Sequence, residues 1–509
     1  MNFGFIIYIV GWILNFQGVF LLVPWVVSLI YDEKSGFAFV LSSAISFIIG
    51  LLCIRKKPTN KSFYAKEGFV SVAFGWIVLS ISGALPFLIS GEIPNLFDAL
   101  FETISGYTTT GATILSDVEA LSNCFLFWRS FTHWIGGMGV LVFVLCIVPL
   151  AGGNNMHLMR AESPGPSVGK LVPRIRSTAM ILYGIYIALT IIECILLLFG
   201  GMNAFDAINI SMATAGTGGF GIKNSSIAEY SVYIQNIVAL FMMIFGVNFS
   251  IYFLLIIRKP KEILKNDEFR VYISIVLIST LIIGFNIRDS FSSIWMAIQQ
   301  AFFQVTSIIS TTGFSTIDFN TWPELSKYII IILMFTGACA GSTSGGMKIS
   351  RIVIACKNLE NEIYSFVHPK RVQVTRVDGN KITDDIVKSV NVYFVLHLLI
   401  LIVSVFLISL ENRSFETNFT AALTTLNNVG PGLDGIGPMD NFGQFTSFSK
   451  CVFMFNMLAG RLELIPMIIL FSPWIWKNKR YNEQFSKKMY RSYEIEDRKS
   501  TRLNSSHSV

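Results

Sequence analysis

The sequence predicts an all-α integral membrane protein with ten transmembrane helices, arranged as an N-terminal helix pair followed by four helix–loop–helix repeats. Three observations support this fold class. The 509 residues are 53% hydrophobic and only 14% charged, against about 25% charged residues in soluble globular domains. Ten runs are long and apolar enough to cross a bilayer. A glycine-centred loop recurs between the two runs of each of four successive pairs.

The ten apolar runs have about the length that a membrane helix needs, which is roughly 20 residues. The high hydrophobic content and the low charged content exclude a soluble enzyme, a disordered chain and a nucleic-acid-binding domain. The first run lacks a basic n-region and a small-residue cleavage site, so we expect a retained anchor rather than a signal peptide. The runs lie at residues 5–30, 37–54, 69–89, 125–150, 179–199, 231–257, 271–287, 328–356, 390–410 and 446–476.

The net charge of +7 indicates orientation in the membrane and not a nucleic-acid partner. Of the 39 Lys and Arg residues, 31 fall in five stretches that follow the second, fourth, sixth, eighth and tenth runs. The positive-inside rule makes that side the cytoplasm, so both termini are predicted to be cytoplasmic. The five basic stretches are residues 55–66, 160–176, 258–270, 348–388 and everything from 477 on.

The four glycine-centred loops align with one another. They read SGYTTTGAT (105–113), ATAGTGGFG (213–221), SIISTTGFS (307–315) and LTTLNNVGPGL (423–433). Four such loops at near-even spacing, each between two apolar runs, indicate internal duplication. The alignment superposes Gly111, Gly219, Gly313 and Gly430, and six residues earlier it superposes the small residues Ser105, Ala213, Ser307 and Thr424.

Non-helical backbone at membrane depth is tolerated only where it is buried in protein or lines a water-filled cavity. Glycine permits the positive φ angles that let successive carbonyl groups point the same way. A ring of backbone carbonyls can replace the hydration shell of a monovalent cation. The short helix before each loop would aim the negative end of its dipole at the same point. The four repeats are therefore predicted to surround a central ion pore.

The predicted organisation has six parts. Residues 1–60 form the N-terminal helix pair, 61–176 repeat 1, 177–268 repeat 2, 269–388 repeat 3 with an interrupted second helix, 389–480 repeat 4 and 481–509 a cytosolic tail. The last ten residues, from Ser500, are polar and unlike the sequence before them. We expect them to be a disordered tail or a vector-derived extension.

The loop motifs resemble the four filter loops of the Trk/Ktr/HKT superfamily of potassium transporters. The resemblance rests on TTTGAT (108–113), GGF (218–220), TTGF (311–314) and NNVGPGL (427–433). HWIGGMG (133–139), GSTSGGMK (341–348) and GRLELIP (460–466) agree with it. It covers residues 1 to about 480, and the extra N-terminal helix pair is most similar to TrkH-type potassium uptake subunits. The second loop departs most, because it has Gly where the first and third have Thr.

The resemblance implies that backbone carbonyls of the four loops bind potassium as the transported ion, with no covalently bound cofactor. The implied ion-binding residues are Thr109, Thr110, Gly111, Thr217, Gly218, Gly219, Thr311, Thr312, Gly313, Asn428, Val429 and Gly430. Asp98 and Glu102, near the outer side of the first loop, are expected either to orient the short helix or to attract cations.

A glycine-rich stretch, GACAGSTSGGMK (337–348), interrupts the eighth run. Each Gly in a helix interior costs about 1 kcal/mol relative to Ala. The stretch is either a close-packing surface of small residues or a flexible loop that obstructs the pore and moves to open it. The resemblance favours the second interpretation and implies gating roles for Gly341, Ser344, Gly345, Gly346 and Lys348.

Arg461 lies in the middle of the last apolar run. An Arg at a membrane-helix centre costs about 2.5–3.5 kcal/mol, so the side chain is expected to face protein or water. It either forms a structural ion pair with an acidic residue or, as the resemblance implies, places a positive charge beneath the filter that limits cation passage.

The resemblance also implies a homodimer in the bacterial plasma (inner) membrane and a cytosolic nucleotide-binding regulatory subunit, TrkA-like or KtrA-like. Residues 348–388 are either its docking surface or ordinary positive-inside charge. Two other functions stay open: a sodium-permeable or sodium-coupled member of the superfamily, and an alternating-access carrier, which usually has two inverted repeats. No nucleophile–base set, metal-ligand cluster or phosphate loop stands out, so we expect no enzymatic activity.

Overall fold

The computed structural model describes residues 1–56, 65–137, 139, 175–368 and 374–473, which are mostly helical. The chain begins with α1 (Phe3–Ile30), α2 (Phe37–Ile54), α3 (Ala65–Ser90), α4 (Leu96–Tyr107), α5 (Asn123–Gly137), α6 (Ile175–Phe199), α7 (Ala204–Gly216), α8 (Val232–Phe245) and α9 (Phe249–Ile256). It continues with α10 (Pro260–Lys265), α11 (Asp267–Asn286), α12 (Ile294–Ile309), α13 (Glu324–Thr336), α14 (Ile349–Val367), β1 (Arg376–Val377), β2 (Asn380–Lys381), α15 (Asp384–Ile408), α16 (Phe415–Asn427), α17 (Ser447–Arg461) and α18 (Ile465–Phe471).

Six helices of the described ranges are long and apolar enough to cross a membrane, namely α1, α2, α3, α6, α11 and α15. They lie on six of the ten predicted runs. The predicted run 125–150 continues beyond the described residues after position 137. The basic stretch 160–176 and the tail 481–509 fall largely or wholly outside those residues as well.

The run 231–257 differs from the prediction of one continuous span, because α8 and α9 meet at an angle of 93°. The side chain of Asn248 begins α9 by accepting the Ser250 N–H at 2.9 Å. The break is also bonded to the glycine-rich stretch: Phe249 N–H donates to Gly341 O at 3.0 Å, and Cys339 N–H donates to Gly246 O at 3.1 Å. Two interrupted helices thus satisfy one another's buried backbone groups.

The four helices that precede the glycine-centred loops, α4, α7, α12 and α16, are too short to span a bilayer. Each begins at a polar side chain that accepts a backbone N–H of its own first turn; these residues are Asn95, Asn203, Ser293 and Ser414. Such caps satisfy donors that a helix leaves without partners at its start. The C-terminal halves of all four helices are buried, so these helices point into the protein.

The first helix pair packs on repeat 1 through a buried polar contact. Gln17 on α1 donates to the hydroxyl of Tyr107, the last residue of α4, at 2.6 Å, and both side chains are buried. Trp128 on α5 stands edge-on to the same tyrosine. These contacts fix the end of α4, from which the first loop begins.

Candidate functional site

Each of the four loops leaves its short helix through the same backbone conformation. One residue adopts a left-handed conformation, and a glycine with positive φ follows two positions later. The first set is Thr109, Thr217, Thr311 and Asn428, with φ of 54°, 54°, 58° and 55°; the second is Gly111, Gly219, Gly313 and Gly430, with φ of 77°, 75°, 85° and 103°. A left-handed residue other than glycine costs about 1–2 kcal/mol, so neighbouring contacts must hold it.

A shared hydrogen bond stabilises the left-handed residue. The N–H of the residue just before each glycine donates to a carbonyl five residues earlier, at 2.9 Å in all four loops. This six-to-one bond is typical of a Schellman helix ending. The donors are Thr110, Gly218, Thr312 and Val429, and the acceptors are the small residues Ser105, Ala213, Ser307 and Thr424.

The four loops contact one another in a closed ring. A Cβ added to each aligned glycine would collide with a carbonyl oxygen of the next loop. The pairs are Gly111 with Gly218 O, Gly219 with Thr312 O, Gly313 with Val429 O, and Gly430 with Thr110 O. A Cβ added to Gly430 would lie 2.6 Å from Thr110 O. The sequence order of the loops is therefore also their spatial order, and the last loop returns to the first. The four glycines also line a single cavity.

A buried ion pair connects the first loop to the second. Arg129 Nε on α5 lies 2.8 Å from Glu102 Oε1 on α4, and both side chains are at most 2% exposed. Glu102 also accepts hydrogen bonds from Thr113 Oγ1 at 3.0 Å and from the Ile114 N–H at 3.1 Å. Arg129 donates to Gly221 O at 3.1 Å. The pair therefore holds the first and second loops at the residues that follow their aligned glycines. Glu102 orients the backbone and does not face solvent.

His133 forms a second connection between these loops. Its Nδ1 lies 2.8 Å from Gly106 O at the end of α4, and its Nε2 accepts the Phe220 N–H at 3.2 Å. Both bonds are made only by a neutral imidazole that carries its proton on Nδ1. The sequence motif 133–139 contains this histidine, but spacing alone assigned it no role.

Asn428 occupies the position that Thr fills in the other three loops. Its Nδ2 donates to Thr110 Oγ1 of the first loop at 3.0 Å and to Met457 O on α17 at 2.9 Å. A threonine has no amide with which to make these two bonds. The asparagine thus closes the ring between its last and first loops.

The cavity that the four glycines line also contains charged groups. Arg129, Lys223 and Asp440 are among its lining residues. Partial burial raises the pKa of the Asp440 carboxyl above its usual range, and the negative charges of Asp318 and Asp434 act in the same direction.

The glycine-rich stretch 337–348, here called the gate segment, is non-helical and lies against the third and fourth loops. Gly345 N–H donates to Thr311 Oγ1 at 2.7 Å. A Cβ on Gly345 would lie 2.6 Å from Asn427 O, so only glycine fits there. Within the segment, Lys348 Nζ donates to the carbonyl and hydroxyl oxygens of Ser344. Positive φ angles occur at Gly337, Gly341, Gly346 and Lys348.

Lys348 was counted with the cytosolic basic stretch, but its side chain is folded into the gate segment and the residue is only 2% exposed. The positive φ of Lys348, at 76°, and its bonds to Ser344 turn the ammonium group back along the segment. The predicted basic surface therefore begins later in the chain.

Arg461 does not lie at a helix centre as the apolar run suggested, because α17 ends at this residue. Glu463 and Leu464 adopt positive φ angles of 64° and 63° before α18 begins. The guanidinium donates to Thr343 O of the gate segment at 2.7 Å and to Gly136 O on α5 at 2.6 Å. Glu463 pairs instead with Arg351 on α14. Arg461 thus joins the gate segment to the first repeat.

The twelve implied ion-binding residues, the five implied gating residues and Arg461 all lie within the described ranges, and the structure brings them together at the ring and the gate segment. Contacts among the four glycine-centred loops form the ring, and Arg461 and Gly345 connect the gate segment to α5 and to the third loop.

The family model described as the cation transport protein TrkH matches residues 35–478. The chain is 38% identical over 487 residues to the Trk system potassium uptake protein TrkH of Escherichia coli (strain K12), covering 94% of this chain and 100% of that protein. It is 32% identical to the Trk system potassium uptake protein TrkG of the same strain, covering 92% and 97%. The crystal structure of the potassium transporter TrkH from Vibrio parahaemolyticus matches with a TM-score of 0.84 at 33% identity, covering 94% and 100%.

Proposed function

This chain belongs to the TrkH family of cation transport proteins, and we propose that it takes up potassium through the ring formed by its four glycine-centred loops. The observation that carries the proposal is the cyclic contact in which each aligned glycine meets a carbonyl oxygen of the next loop. Four equivalent backbone segments around one point can exchange an ion's water ligands for carbonyl oxygens. The short helices end at the same ring, and the negative ends of their dipoles favour a cation there.

Buried side-chain contacts hold the first loop to the second and the fourth loop to the first. Glu102 and Arg129 hold the first two loops, His133 spans the same pair, and Asn428 attaches the fourth loop to the first. A ring that cannot contract around a smaller ion replaces sodium's hydration shell less well than potassium's. We infer that these buried contacts support preference for potassium.

The gate segment supplies the control of passage in this mechanism. It packs directly on the third and fourth loops through Gly345, and Arg461 donates to its Thr343 carbonyl. At this position the segment obstructs the path on one side of the ring, and the guanidinium opposes cations by charge repulsion. Transport then requires the segment to move away from Thr311.

For the wider arrangement, we propose ten spans with both termini in the cytoplasm of a bacterium, in its inner membrane. The support is the distribution of Lys and Arg along the sequence. We also propose a homodimer and a cytosolic nucleotide-binding subunit, which would dock on the surface that α14 and the β1–β2 hairpin provide. Arg376 and Lys381 of the hairpin are exposed and available for such a contact.

The test is ion flux from the purified protein in liposomes, with potassium and sodium compared. Gly313→Ser places a side chain against Val429 O and should abolish or strongly reduce potassium preference. Gly201→Ser is the matched control, because Gly201 also has a positive φ, of 84°, but has open space where a Cβ would lie. Equal fluxes of the two ions through the wild-type protein would favour a sodium-permeable transporter. Unchanged selectivity in Gly313→Ser would contradict the ring as filter.

A further inference from the structure

A single carboxylate bonds to the backbone on both sides of residues 341–348, the greater part of the gate segment. Glu268 lies in the first turn of α11, and the residue is only 7% exposed. Its Oε1 accepts the N–H of Ala340 at 2.6 Å and the N–H of Ser350 at 3.0 Å. These two donors stand on either side of residues 341–348, so the oxygen closes the segment into a loop.

Both donors need an acceptor from elsewhere in the chain. Ser350 is in the first turn of α14, where backbone N–H groups have no partner within the helix. Ala340 lies in the non-helical stretch just before Gly341. A carboxylate accepts such bonds more strongly than a neutral oxygen, and it also suits the positive end of the α14 dipole.

We propose that Glu268 is the positioning residue that holds the gate segment beneath the ring, and that release of its two backbone bonds permits the segment to move. The inference rests on the proposed gating function of the segment. Glu268 does not contact the ring glycines; it acts on the ion path through Ala340, Ser350 and the residues between them.

The neighbouring residue, Asp267, shows how a movement of the β1–β2 hairpin would reach Glu268. Asp267 Oδ2 accepts from Lys357 Nζ on α14 at 2.5 Å and from the Asp378 N–H in the β1–β2 turn at 3.0 Å. In return, Asp378 Oδ1 accepts the Asp267 N–H at 2.7 Å. The first turn of α11 therefore holds the hairpin with one carboxylate and the gate segment with the next. A partner that displaced the hairpin would act on Glu268 through one peptide unit.

The experiment measures rubidium uptake and the potassium-to-sodium ratio in liposomes containing the full chain. Glu268→Ala should raise uptake roughly tenfold, because two charge-assisted hydrogen bonds that favour the held conformation are lost, while the ion ratio stays unchanged. Glu268→Gln retains an oxygen acceptor and should return most of the uptake to the wild-type level. Glu262→Gln changes an exposed carboxylate on α10 that pairs with Lys259, and this matched control should leave uptake unchanged.

Hydrogen exchange of residues 338–350 provides a second measurement, and it should be faster in Glu268→Ala than in the wild-type protein. If Glu268→Ala shows wild-type uptake and wild-type exchange, Glu268 does not position the gate segment. Deletion of residues 341–346 separates the two levels of the proposal. If the deletion raises flux and Glu268→Ala does not, the gating role of the segment is supported and the positioning role of Glu268 is contradicted. If the deletion has no effect at normal abundance, the gating role of the segment is contradicted.

Discussion

Replacing Glu102 with Gln removes the negative partner of Arg129 and almost nothing else, because the two side chains have nearly the same shape. Both ion-pair side chains are at most 2% exposed, so the guanidinium cannot recover its charge balance from water. Breaking a buried pair in this way costs about 3–5 kcal/mol. Arg129 keeps its bond to Gly221 O and its position over the Phe220 ring. We therefore expect a loss near 3 kcal/mol, the lower end of that range.

The measurement is the temperature at which the detergent-purified protein loses its monodisperse gel-filtration peak, together with its potassium-to-sodium flux ratio. Glu102→Gln should lower both, since Thr113 and Ile114 beyond the first glycine lose a charged acceptor. The double variant Glu102→Gln, Arg129→Met should regain most of the stability, because no unpaired buried charge remains. A double variant whose loss equals the sum of the two single losses would refute the reasoning, since independent sites add and coupled sites do not.

Three further changes have defined outcomes in liposome flux. Arg461→Ala should raise the transport rate, since a positive charge leaves the path; loss of all transport in well-folded protein would instead show a structural role. Gly345→Ala places a methyl group 2.6 Å from Asn427 O and should displace the gate segment, raising flux without altering selectivity; reduced selectivity would mean that the ring itself is disturbed. His133→Leu leaves the Phe220 N–H without its acceptor, at about 1–3 kcal/mol, and removes the imidazole bond that joins the second loop to Gly106 O, so it should lower potassium preference; a variant with wild-type selectivity would contradict this role.

The apolar runs predicted the long helices because length and lack of charge suffice to identify a span. They did not predict the 93° break between α8 and α9, because Gly246 and Asn248 at the break are isolated in the run 231–257 and form no dense cluster. That break is stabilised by backbone bonds to Gly341 and Cys339, about ninety residues later, which no local pattern contains. The break at 337–348 was predictable because glycine is dense within the segment itself.

The positions of the ring residues followed from aligning the repeats, but their conformations did not. Threonine rarely adopts positive φ, so Thr109, Thr217 and Thr311 gave no sign that they would do so. The contacts that support the ring join different elements: Glu102 on α4 pairs with Arg129 on α5, and Asn428 of the fourth loop bonds to Thr110 of the first. Glu268 precedes the predicted run 271–287 in no recognisable motif, and only its distances to Ala340 and Ser350 reveal a contact with the gate segment.

The position of the transported ion is measured most directly by anomalous scattering from rubidium, a substitute for potassium, in the crystallised protein. We expect a rubidium peak at the ring, surrounded by the backbone carbonyls that precede the four aligned glycines. Those carbonyls belong to Thr110, Gly218, Thr312 and Val429. A preparation that transports rubidium but shows its peak away from the ring, or no peak there at concentrations that saturate transport, would contradict a four-loop filter.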